Sequence, residues 1–219
     1  MKETNKKVTA LTAKKLKKAS EKIQDDKEVV LATVTKESHA LQYASDRLKN
    51  DKDVVLAAVI EDGDSLRYAS EELVDDAEFI LEIALKNSLF LKWVSSRLQD
   101  NSEIVKVLIA SEGDNLEFAV SPLKHVSDRL KDDKEIVLIA AAKNGWSTLR
   151  HTSDRLREDK EVVLVAVSEG GIALEFASDE LKNDKDVVLA AVTQDYQALN
   201  DASERLKKDK DILAITNKS

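Results

Sequence analysis

Three histidines, His39, His125 and His151, and two Asp-Lys-Asp runs, Asp51-Lys-Asp53 and Asp209-Lys-Asp211, carry the side chains that metal chemistry would need. A helical zinc site sets histidines or carboxylates three or four residues apart in a recognised ligand motif, and none of the three histidines lies in one. The Asp-Lys-Asp runs begin like a calcium loop but lack its glycine and closing glutamate. Helix capping explains them better. Serines recur at Ser20, Ser45, Ser70, Ser95, Ser127, Ser153, Ser178 and Ser203, usually followed by an acid. No nucleophile elbow, phosphate loop or dinucleotide fingerprint accompanies them. Groups that recur at one place in every copy point to a structural task. The expectation is therefore a protein with no catalytic residue, no cofactor and no metal.

Two further sets bear on binding. Tyr43, Tyr68, Trp93, Phe118 and Phe176 form an aromatic ladder, with His151 in line and Asp201 breaking it. Such rings can stack bases or grip a peptide, but free interchange of Tyr and Phe favours packing between repeats. A second ladder holds Arg47, Arg97, Arg129, Arg155 and Arg205, with Glu72 and Glu180 at the same place, which predicts charge pairing between neighbouring layers. The positions that vary while the frame does not are His39, Asp64, Leu89, Asp114, Trp146, Ile172 and Gln197. All follow the site of a recurrent glycine, at one edge. Repeat proteins place their differences on the binding surface, so these are the candidate partner-binding residues, with Trp146 the leading anchor.

What must position these residues is a repeat. Asp-Lys-Asp/Glu followed by Val or Ile starts at Asp26, Asp51, Asp133, Asp159, Asp184 and Asp209, with weaker versions at Asp76 and Asn101. The steps are 25, 25, 25, 32, 26, 25 and 25 residues. The step of 32 holds a seven-residue insertion, two helical turns, between Ala119 and His125. The pattern predicts an all-α, elongated α-solenoid of about seven 25-residue two-helix repeats. Residues 1–25 read as a degenerate N-terminal capping repeat, 26–208 as seven tandem repeats, and 209–219 as a truncated C-terminal repeat.

Within a copy, the near-continuous apolar run Val54, Val55, Leu56, Ala58, Val59 predicts a sandwiched first helix. Asp25 with Glu28, Asn50 with Asp53, Asp75 with Glu78, Asp132 with Glu135, and Asn183 with Asp186 have the spacing of capping boxes. Gly63, Gly113, Gly145 and Gly171 read as helix C-terminal signals. Leu66, Ala69 and Leu73 make the second helix amphipathic, and the recurrent serine marks either a break in it, with a one-turn helix carrying Leu48, Leu73 and Leu98, or one unbroken helix with a small residue at a close contact, the break being the favoured reading. Helices this short need their neighbours to persist in water. The trailing Ile212, Leu213 and Ile215 leave apolar residues on the last layer, a candidate end-to-end or dimer contact.

Composition bounds the partners. Net charge is −8, with about +5 concentrated in residues 1–25, where Lys14, Lys15, Lys17 and Lys18 fit a solvated cap. An acidic array repels phosphate backbones, so nucleic acid is an improbable partner. There is no cysteine. No apolar run approaches a membrane span, and the N-terminus has no Sec-type signal, so a cytoplasmic location is expected, with export by another route left open.

The segments Asp51-Lys-Asp-Val-Val-Leu-Ala-Ala-Val59 and Ala40-Leu-Gln-Tyr-Ala-Ser-Asp-Arg-Leu-Lys49, in this order and spacing, resemble a repeat family known as domain of unknown function 4116. The resemblance covers residues 26–213; Leu85-Lys86-Asn87-Ser88, which lacks the glycine, and the copy at Asn101, with its insertion, depart from it most. It implies tandem helical repeats of bacterial and protist proteins and a role in host-associated or signalling biology, and it transfers no catalytic residue. The leading expectation is a non-catalytic protein-binding scaffold. The alternatives are a nucleic-acid-binding repeat array and a purely structural or engineered consensus-like array.

Overall fold

The computed structural model describes residues 10–84, 91–111 and 121–216. The chain divides into two compact units, Met1–Leu98 and Gln99–Ser219. Among the described residues every regular element is a helix, and within each unit consecutive repeats stack on one another. Leu89, Asp114, Gly113 and Phe118 lie outside the described residues.

Each repeat has three helical pieces. A long α-helix comes first, as at Lys52–Glu61, Lys160–Glu169 and Lys185–Gln194. A 3-10 segment follows, as at Ser38–Tyr43, Gly63–Tyr68 and Gly171–Phe176. A one-turn α-helix closes the repeat, as at Asp46–Lys49, Glu71–Val74 and Asp179–Lys182. The second helix is thus divided where the serine recurs. Ser45, Ser70, Ser127, Ser153 and Ser178 hold extended backbone and accept from the N–H three residues on, an N-cap that cannot continue the preceding turn. At Gly145–His151 the middle piece is an α-helix, which takes up the extra residue of that repeat.

The long helices are sandwiched. Val54, Val55, Ala58 and Val59 are fully buried, as are Val162, Val163, Ala166 and Val167. Adjacent pairs four residues apart give a wide apolar face, met by the neighbouring long helix and by the 3-10 segment. Leu41, Leu66, Leu123, Leu149 and Leu174 fill the same place under the middle piece.

Two local readings need correction. The N-cap of each long helix is the residue after the one the capping-box spacing marks. Asp26, not Asp25, accepts from the N–H of Glu28 at 3.1 Å and of Val29 at 3.2 Å, and Asp51, Asp133, Asp159 and Asp184 do the same in their copies. The acid or amide before it ends the one-turn helix instead. The glycines are not left-handed helix caps, since no described glycine has a positive φ. Gly145 and Gly171 open the middle piece beneath a neighbouring backbone: a Cβ on Gly145 would lie 1.9 Å from the Ala166 carbonyl oxygen, and one on Gly171 would lie 2.3 Å from that of Ala191. They are glycine because the next repeat's long helix comes that close.

Candidate functional site

The frame is held by a ladder between repeats. The N–H of Ser45 donates to the Gln24 carbonyl at 2.9 Å, that of Ser70 to Lys49 at 3.0 Å, and that of Ser203 to Lys182 at 2.9 Å. Beside each runs a side-chain rung. Ser45 Oγ donates to Asp25 at 2.5 Å, Arg47 Nε donates to the same carboxylate at 2.9 Å, and Arg47 Nη2 donates to the Asp25 carbonyl at 2.7 Å. The rung recurs on Asp75, Asp100 and Asp132. Hydrogen bonds from the serine and arginine hold all four carboxyls below their ordinary value. Where Glu72 replaces the arginine, the acceptor becomes Asn50, whose amide accepts from Ser70 and donates to Glu72 at 2.7 Å. A second row joins the lysine that opens a long helix, at Lys27, Lys52, Lys134, Lys160 and Lys185, to the acids at the start of the next: Lys160 Nζ meets Asp184 at 2.7 Å and Asp186 at 2.9 Å, and Lys185 meets Asp209 and Asp211. Most of the recurrent acids, lysines, serines and arginines are thereby committed to stacking.

What remains is the row of 3-10 segments. Its second residue is the variable edge: His39 and Gln197 are exposed, Ile172 is 39% exposed, and Asp64 and Trp146 are half-buried. Its last residue is the aromatic ladder: Tyr43, Tyr68, Trp93, His151 and Phe176 are all half-buried. Asp201, which breaks the ladder, ends the next segment. The rings are therefore neither core nor free surface.

The two sets meet. Asp64 accepts from Trp93 Nε1 at 3.2 Å and pairs with Lys92 at 2.8 Å, one repeat on. The Trp146 ring meets the Phe176 ring edge-on, with centroids 6.3 Å apart. Each unit thus shows one edge residue meeting the ring position of the next repeat, so at Asp64 and Trp93 and at Trp146 and Phe176 edge and ladder share one surface. Burial would raise the Asp64 carboxyl, but the bonds from Lys92 and Trp93 outweigh it, and the group sits below its ordinary value.

The insertion alters one assignment. His125 ends the segment Pro122–His125 and stands two residues before Ser127, as Tyr43 stands before Ser45 and Trp93 before Ser95. His125 therefore stands at the ring position relative to Ser127, and the Phe118 of the sequence ladder lies outside the described residues. Ser121 caps this segment, accepting from the Leu123 N–H at 3.2 Å, with Pro122 in its first turn. Burial depresses the His151 imidazole, and the nearby cations Arg150, Lys124, Lys131 and Arg157 depress it further. Tyr196, 54% exposed beside Gln197, is a strip residue that the sequence pattern did not mark. Its place is the glycine's in other copies, and that substitution was the available signal.

The chain's end differs from expectation in one residue. Ile212 is fully buried in the helix Lys210–Thr216, which packs on Lys185–Gln194, so it offers nothing to a second copy. Leu213 and Ile215 are half-buried. Among the described residues no helix is long and apolar enough to cross a membrane, and no group of three or more His, Asp or Glu side chains is placed to hold a metal ion.

Short helices stacked at a 25-residue step, with neighbours tied by a repeated rung, define an α-helical repeat protein. The model of the family described as domain of unknown function (DUF4116) matches residues 26–74, 121–157, 143–182, 159–207 and 184–214, more than half of the chain, and the chain belongs to that family. No curated protein and no solved structure matched it.

Proposed function

We propose that this chain is a protein-binding module without chemistry of its own, and that within each unit the row of middle segments is a recognition strip. The observation that carries this reading is the meeting of variable edge and ring position on one strip, above a frame whose other polar residues are engaged in stacking. A strip of half-exposed rings on a preorganised frame offers contact area with little ordering cost on binding. Trp146, Ile172 and Tyr196 give the strip of the second unit an apolar character suited to partner side chains, and aromatic anchors dominate such interfaces. The test is capture of binding partners from a lysate by the wild type, Trp146→Ala and Ile172→Ser, with circular dichroism as the folding control. Loss of the same bands in both variants, with helicity kept, supports the strip. Unchanged capture removes it.

A further inference from the structure

The strip of the first unit has a charge opposite to that of the chain. Lys14, Lys17 and Lys18 stand one repeat before His39, Gln42 and Tyr43, and so occupy the strip positions of the leading copy; Arg67 and Lys92 hold strip positions further on. All five are exposed. The described strip positions of this unit contain one acid, Asp64, which is paired with Lys92. The neighbouring acids are occupied as well. Asp62 accepts from the Asp64 N–H at 3.0 Å, and Glu37 accepts from the Ala13 N–H at 2.7 Å and faces His39 at 4.0 Å.

Three of these cations lie over the rings. Lys17 Nζ lies 5.5 Å from the centre of the Tyr43 ring. The Arg67 guanidinium lies 4.5 Å from the Tyr68 ring and 5.9 Å from the Trp93 ring, and Lys92 lies 5.0 Å from the Trp93 ring. A cation over a ring keeps its full charge while its long side chain loses freedom before any ligand arrives. The result is a row of pre-positioned positive charges with half-exposed aromatic surface between them.

We infer that this first-unit strip binds an extended acidic peptide segment of a partner protein, in which carboxylates meet Lys17, Arg67 and Lys92 and apolar side chains lie against the ring surface of Tyr43, Tyr68 and Trp93 that these cations leave uncovered. The same features disfavour a single-stranded nucleic acid. Its bases need open ring faces, and here the chain's own cations lie over them. The inference rests on the binding-module reading and names the partner's chemistry.

The test is fluorescence anisotropy with a short fluorescein-labelled peptide of repeated Glu-Glu-Leu, against its Gln-Gln-Leu counterpart and an oligothymidylate of matching length. The expected result is binding of the Glu peptide alone, weakening as salt is raised. Arg67→Gln with Lys92→Gln should weaken it about tenfold or more, with helicity retained, and Lys22→Gln, off the strip, should not. Asp64→Asn removes the competing carboxylate and should tighten binding roughly two- to threefold, an effect that a merely structural role would not give. No binding of the Glu peptide, equal binding of the Gln peptide, tighter binding of the oligothymidylate, or equal loss in Lys22→Gln overturns the inference. Absence of Glu-peptide binding, with lysate capture still sensitive to Trp146→Ala, would leave the binding-module reading standing and remove this one alone.

Discussion

Arg97 reaches back across one repeat to Asp75 and grips it twice: Nε donates to the carboxylate at 2.9 Å, and Nη2 donates to the main-chain carbonyl at 2.6 Å. The second bond matters as much as the first. A side-chain pair on a surface contributes little by itself, but a bond to the backbone fixes where the one-turn helix of one repeat ends relative to the start of the next. The rung is a register device. It sets how neighbouring repeats sit, and the buried Val, Ala and Leu layers supply the stability.

The serine of the rung does two jobs, and substitution can separate them. Ser153 Oγ donates to Asp132 at 2.5 Å and accepts from the Leu156 N–H at 3.4 Å. Ser178 accepts from the Leu181 N–H at 3.3 Å, but its repeat carries Glu180 in place of the arginine and Glu158 in place of the aspartate. Ser153→Ala should therefore lose both cap and rung, at a cost of about 1–2 kcal/mol, and Ser178→Ala should cost less. Denaturant melts of the two variants compare them directly.

The Glu158–Glu180 repeat also invites the converse experiment. Everywhere else among the described rungs the acceptor and its partner are chemically matched, including the Asn50 to Glu72 exchange. Glu158→Asp with Glu180→Arg should complete the missing rung and raise the melting temperature. Each single change should do less than the pair, and a double-mutant cycle with no coupling would show that the match is incidental.

The period, the serine-marked break and the buried layers were all legible in the sequence, because each rests on local spacing. The rung was half legible. Opposite charges at the arginine position announced pairing between layers, but not the partner. Asp25 and Asp26 both stand near the start of the first helix, and spacing alone favours the wrong one as its cap. Only the arrival of Ser45 and Arg47 some twenty residues later decides between them. The meeting of Asp64 with Trp93 was hidden for a similar reason: it joins one repeat plus four residues, a relation that exists only once the repeats are stacked.

Acid should loosen the register before it touches the core. Asp25, Asp75, Asp100 and Asp132 have folded-state carboxyls depressed below the ordinary 3.8 by their serine and arginine donors. A depressed group contributes stability that is fully present above its unfolded value and is lost as pH falls through the folded one. The rungs' contribution should therefore be flat from neutrality down to about pH 5 and should drop below about pH 4, while the depressed His151 imidazole adds a separate loss that begins as pH falls through its ordinary 6.5. Denaturant midpoints measured across that range check it. Replacing these four acids with Asn should make the acid limb shallower, the remainder coming from the long-helix caps Asp51, Asp76, Asp159 and Asp184, which are also depressed; Asn183 already accepts from both Ser203 and Arg205 without ionising.

Two adjacent glycines give the sharpest test of how the repeats approach one another. At Gly171 an added methyl would meet the Ala191 carbonyl oxygen at 2.3 Å and the Asp195 nitrogen at 2.9 Å, both backbone atoms that cannot step aside. At Gly170 the nearest atom is the Trp146 Cβ at 3.9 Å, ordinary contact, and the backbone there is extended, with φ −163° and ψ 106°, which alanine adopts without strain. Gly171→Ala should therefore force the two repeats apart and cost about 1–3 kcal/mol or more. Gly170→Ala should be neutral or stabilising by up to about 1 kcal/mol, through the unfolded chain's lost freedom. Were the glycines helix terminators of the left-handed kind, the order would depend on φ alone and the two would not divide this way. Thermal melts of the single variants decide it, and the same comparison at Gly145, where the Ala166 oxygen would lie 1.9 Å away, should repeat the larger loss.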